Sequence, residues 1–107
     1  MRYPLRAKGF FGVDEIVGIK DILRRSFSDF IDYSPEAGLK GALEGLSPAE
    51  ETLTRVCEFE LSTGDWGGMN VITSGEGRHA LQLTLVMAEE RQISEVERVL
   101  GLRFEWE

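Results

Sequence analysis

Apolar and polar residues alternate along the first strand-like segment of the chain. Tyr3, Leu5 and Ala7 fall between Arg2, Arg6 and Lys8, and a period of two predicts a strand from Arg2 to Phe11. Pro4 has no N–H to donate, which places it at the strand's start or on an unpaired side. The period then lengthens. Ile16, Ile19, Leu23, Phe27, Phe30 and Ile31 recur at spacings of three and four, which predicts an amphipathic helix capped by Asp14 and ended by Ser34–Pro35. Asp21, Arg24, Ser28 and Asp32 form its polar side. Ser34 and Pro35 can also open a short second helix with Leu39 and Leu43 inward, weakened by Gly38, Gly41 and Gly45.

Residues 48–61 carry two signals. "SPAE" at Ser47–Glu50 has the form of a capping box, and a helix through Val56 is one reading. Leu53, Cys57, Phe59 and Leu61 on odd positions against Thr54, Glu58 and Glu60 on even ones favour one helical turn followed by a strand. Met69–Thr73 reads as a short strand, "SGEG" at Ser74–Gly77 as a hairpin turn, and Arg78–Ala88 as a further strand. In that strand Leu81, Leu83, Leu85 and Met87 share one face. Ile93, Val96 and Leu100 mark a last helix, with Gly101 placed to end it. Leu102, Phe104 and Trp106 alternate with charged residues in a final strand.

The resulting order is β-α-(α)-β-β-β-α-β. Strands with one apolar face call for helices on that face alone. The expected fold is an α+β two-layer sandwich, mostly antiparallel, of the ferredoxin-like kind with an extra hairpin strand. A length of 107 residues fits a single domain spanning 1–107.

Charge narrows the partners. The net charge is −7. Residues 1–54 hold seven Lys/Arg against nine Asp/Glu, and residues 55–107 hold five against ten, so the surplus sits in the second half. Such a field repels nucleic acid and anionic membrane and attracts basic proteins. Arg2, Arg6 and Lys8 are too few to make a nucleic-acid footprint. No apolar run reaches the ~20 residues of a membrane helix, and "MRYPLRAKGFFG" lacks the apolar core of a secretory signal. A cytoplasmic location is expected, and Cys57, the sole cysteine, agrees with a reducing compartment.

The chemistry-bearing residues are sparse. One His and one Cys do not make a zinc site. "GDWGG" and "SGEG" lack the phosphate-loop spacing and lead into strands rather than helices. No metal or other cofactor is expected. His79 is the one group with an ordinary pKa near neutrality. It is a candidate general base, or with Cys57 the lining of a ligand pocket in a dimeric small-molecule-sensing domain. Its plainer role is to fill the end of the core. The stretch "STGDWGGMN" (Ser62–Asn70) holds Trp66 among three glycines. The indole either folds back over the core or projects as an anchor for a partner. The leading expectation is a non-enzymatic acidic module that docks on a basic protein. Immunity, antitoxin and phage-inhibitor proteins share that compositional profile. Trp66 would anchor it, and Asp65, Glu58, Glu60 and Glu76 would steer. Trp106, on a terminal strand, could support a homodimer through an edge strand.

Overall fold

A computed structural model of the chain describes residues 4–33, 52–73, 79–86 and 89–107. The elements are β1 (Pro4–Phe11), α1 (Val13–Ser26), β2 (Phe30–Asp32), β3 (Thr52–Glu60), β4 (Trp66–Thr73), β5 (His79–Val86), α2 (Glu90–Leu100) and β6 (Glu105–Trp106). All strands join one antiparallel sheet in the order β2-β3-β4-β5-β1-β6. The fold is an α+β two-layer sandwich, with the two helices of the described residues on one core. β1 lies between β5 and β6, so it splits the β5–α2–β6 unit as a ferredoxin-like plan requires. A full pair, β2 and β3, extends the sheet beyond β4, giving six strands where five were expected.

The core forms where the period-two pattern meets the helices. Leu81, Leu83 and Leu85 of β5 and Met69 and Val71 of β4 are buried beneath Ile16, Ile19 and Leu23 of α1 and Val96 and Leu100 of α2. Phe27 stacks on Phe59 with ring centroids 5.0 Å apart.

Three expectations are corrected here. First, α1 ends at Ser26, not Ser34. Phe27 is already extended, and Phe30, Ile31 and Asp32 pair with Phe59, Glu58 and Cys57. Ser26, Ser28 and Asp29 compete for backbone hydrogen bonds and end helices. The helix also starts two residues earlier than an Asp14 cap implies: Gly12 is the cap, and its N–H donates to Glu15 Oε1 at 3.2 Å. Second, β3 is a strand, and the helix through Val56 is excluded over the described residues. However, a bulge between Arg55 and Cys57 shifts its phase, so Val56 is buried and Leu53 is turned out. Third, β4 begins at Trp66, so the tryptophan belongs to a strand and the turn is Ser62–Asp65. Gly64 there has φ +87°, the left-handed region that glycine favours. The last strand is short, Glu105–Trp106. The helix proposed after Ser34 and the turn at Ser74–Gly77 lie outside the described residues, although Thr73 stands opposite His79 as a hairpin requires. Gly101 ends α2 in the left-handed conformation as expected.

Beneath α1 sits a charge. Lys20 is fully buried, and its Nζ lies 3.0 Å from Asp32 Oδ2. The pair ties the helix to β2, the strand its own chain segment leads into.

Gly67 and Gly68 separate cleanly by environment. A Cβ on Gly67 would stand 2.6 Å from both Leu85 and Phe59, whereas one on Gly68 would meet nothing closer than 3.9 Å. Gly67→Ala should therefore lower stability by about 1–3 kcal/mol through overpacking. Gly68→Ala should leave it unchanged or raise it by up to about 1 kcal/mol. Urea unfolding of the two variants checks both signs.

Candidate functional site

Among the described residues, the helices cover one face of the sheet and leave the other open. The large apolar side chains exposed among the described residues, Phe10, Ile31, Tyr33, Leu53, Trp66 and Val86, all lie on that uncovered face by their register. Phe10 and Leu53 are the most exposed, at 65% and 62%. Arg55 stands 5.1 Å over the Tyr33 ring.

At one end of this face lies the β3–β4 hairpin. Trp66 is 38% exposed, and its cross-strand partner is Glu60. Glu58 follows on the same face opposite Gly68, with one carboxylate oxygen 4.0 Å from Arg55. Glu60 also borders a groove of about 620 Å³ with Asp29, Glu95 and the hydroxyl residues Ser26, Ser28, Ser62 and Thr63. A hydrogen bond with Asp29 raises the Glu60 carboxyl above its ordinary pKa, with partial burial and the Asp29 charge adding to the rise. One of two carboxylates that share a hydrogen bond must keep a proton. Neither forms an ion pair among the described residues. Glu95 is used differently: it accepts from the Ser62 N–H and from the Ser62 hydroxyl at 2.9 Å, tying α2 to the hairpin.

The other sequence candidates scatter. Asp65 neighbours Trp66 in sequence but turns toward α2. It accepts from Gln92 Nε2 and from the Thr63 hydroxyl, so it builds the turn rather than facing a partner on the open face. Glu76 lies outside the described residues. Trp106 stands opposite Ala7 on the core side. It packs edge-on to Phe104 with centroids 6.2 Å apart and is partly buried, on β6 at the edge of the sheet. The acidic surface expected from Glu58, Glu60, Asp65 and Glu76 therefore reduces to Glu58 and Glu60, joined by Asp29, which the sequence reading did not single out. The open face as a whole is mixed: Arg6, Lys8 and Arg55 share it with Glu58, Glu60 and Glu105.

His79 and Cys57 are not brought together, because β4 separates their strands. Both are buried on the core side. Burial holds the His79 imidazole below its usual pKa, and its Nδ1 has no hydrogen-bond partner. Burial pushes the Cys57 thiol up to about 12, with the Asp32 carboxylate adding to the rise and the Lys20 ammonium opposing it. Among the described residues, no three His, Cys, Asp or Glu side chains gather as a metal-ligand set, and no helix is long and apolar enough to cross a membrane.

No family model matches this chain, and neither a curated protein nor a solved structure matches it.

The thiolate is the reactive form of cysteine, so Cys57 should resist a disulfide reagent such as Ellman's at pH 8 in the folded protein. It should react stoichiometrically in urea. Rapid labelling without denaturant would contradict its placement.

Proposed function

We propose that the chain is a protein-binding module that docks on a basic protein through the corner formed by the β3–β4 hairpin and the Asp29 turn. The observation that carries this reading is the Asp29–Glu60 pair beside the exposed indole of Trp66. At neutral pH two adjoining carboxylates repel, and a cation placed between them relieves that repulsion. A guanidinium matches this demand, since it can pair with a carboxylate in a fork and lie over an aromatic face at the same time. Glu58 on the same face adds attraction at longer range. The effect of binding would be to block a cationic surface of the partner, as immunity, antitoxin or inhibitor proteins do.

The acid pair also has a pH signature. Because the Glu60 pKa is raised on folding, its hydrogen bond with Asp29 contributes fully below the ordinary glutamate pKa of about 4.3 and is lost as pH rises through the higher folded value. Glu60→Gln keeps a donor for Asp29 and removes the repulsion. It should raise the melting temperature at pH 7, and the gain should vanish as the pH falls below about 4. A variant that melts lower than wild type at pH 7 would contradict the pairing.

Binding itself is read by calorimetric titration with an arginine-rich peptide. Affinity should fall as salt rises and screens the charges. It should fall by about tenfold in Glu60→Gln and in Trp66→Ala, and stay unchanged in Arg103→Ala. Equal affinity in all four proteins would overturn the site.

A further inference from the structure

Gly68 lies in the middle of β4, a central strand. Its φ is not positive, and a methyl group there would have room. Nothing within the described chain calls for glycine at this place. Glycine inside a strand weakens it and marks a close approach by another surface. Above Gly68 the open face has a hollow of about 260 Å³, bordered by Trp66, Glu58, Asn70, Thr84 and Val86.

The register sorts this face into rows across the strands. Phe10, Ala80, Ile72 and Leu53 form one apolar row, partner to partner from β1 to β3. The next is Lys8, Gln82, Asn70 and Arg55. The third is Arg6, Thr84, Gly68 and Glu58. At the hairpin end Pro4 pairs with Val86, and Trp66 with Glu60. The third row has a cation at its β1 end, an anion at its β3 end and the glycine hollow beside the middle. Arg6 makes no ion pair among the described residues.

We propose that this face packs against the same face of a second copy, about a twofold axis running along the strands between β4 and β5. That operation lays β1 over β3 and β5 over β4 of the second copy. Arg6 then meets Glu58 of the other copy, twice by symmetry. Thr84 enters the hollow over Gly68. Phe10 covers Leu53, Ala80 covers Ile72 and Val86 meets Trp66. Lys8 comes toward Arg55, a like-charged pair whose long side chains can diverge. An axis laid across the strands also leaves one such pair, Arg6 with Lys8, but it sets Leu53 against Glu60 and breaks up the apolar row. The strand-parallel axis is therefore the better fit, and it corresponds to the aligned packing of sheet sandwiches. Four strands and four rows span roughly 19 Å by 20 Å, on the order of 400 Å² per copy. Two copies together bury about 800 Å², the size of a weak, exchanging dimer.

This interface goes beyond the basic-partner reading and overlaps its hairpin end, since the same operation lays Pro4 over Glu60 and Val86 over Trp66 of the other copy. Sedimentation equilibrium of the full chain tests it, with circular dichroism to confirm folding. Wild type should sediment at twice the monomer mass below about 0.5 mM. Arg6→Glu, Glu58→Arg, Leu53→Glu and Gly68→Val should each weaken the dimer at least about tenfold. All four positions lie on the open face, where such changes leave the core intact. The Arg6→Glu/Glu58→Arg double variant should restore the dimer to within about threefold of wild type. A monomeric wild type would overturn the proposal. So would a dimer indifferent to Leu53→Glu and Gly68→Val, or a double variant no tighter than its parents. The four dimer variants leave Asp29, Glu60 and Trp66 in place, so the peptide titration repeated on Leu53→Glu reads the acid pair without the dimer and lets the two readings fail separately.

Discussion

Two helices can cover only one face of a six-stranded sheet. The described chain supplies α1 and α2, and both pack on the face that carries Leu81, Leu83, Leu85, Met69 and Val71. Burying those side chains is the main favourable term in the fold. It forces every intervening residue to the other side. The uncovered face is thus a direct consequence of the period-two pattern, and its contents were free to serve something else. An ordinary solvated sheet face would be polar throughout. This one ends in an apolar row at one side and in Trp66 and Val86 at the other.

Electrostatics act on the fold and on the surface in different ways. Inside, the buried Lys20 has Asp32 as its counter-ion at 3.0 Å, and an ammonium without one is costly to bury. That constraint holds the end of β2 beneath α1 and brings Asp29 beside Glu60. At the surface, the Asp29–Glu60 hydrogen bond holds while one of the two carboxyls keeps its proton, and gives way to repulsion above the pH at which that proton is lost. One ion pair thus positions the backbone that sets up the other contact, which has no cation of its own among the described residues.

The elements with a single periodicity were legible in the chain: the faces of β5, the core side of α1 through Leu23, and the glycine end of α2. Three features were not, for identifiable reasons. Phe27, Phe30 and Ile31 continue a helical spacing, yet Phe30 and Ile31 serve equally as alternate positions of a strand, and only the pairing with β3 decides. The bulge at Val56 inverts the facing of Leu53, and no local sequence rule announces an extra residue in a ladder. Lys20 is not among the residues the apolar spacing picks out, although its place four after Ile16 and three before Leu23 puts it on the buried stripe. In the candidate site, alternation alone put Glu58 and Glu60 on the polar face. Trp66 was assigned to a loop because three glycines surround it, and Asp65 was assigned to the same surface because it is the next residue. In an extended chain the next residue points the other way, and Asp65 does so, toward Gln92.

The account turns on whether the open face is covered by its twin. Phe10 and Leu53 sit three strand spacings apart within one chain, about 14 Å, too far for a nuclear Overhauser contact. In a mixture of isotope-labelled and unlabelled chains, a filtered Overhauser experiment reports only contacts between molecules. Cross-peaks from the Phe10 ring of one chain to the Leu53 methyls of another are the predicted result. A spectrum with no intermolecular peaks at these residues, at concentrations where the chain is folded, would contradict it.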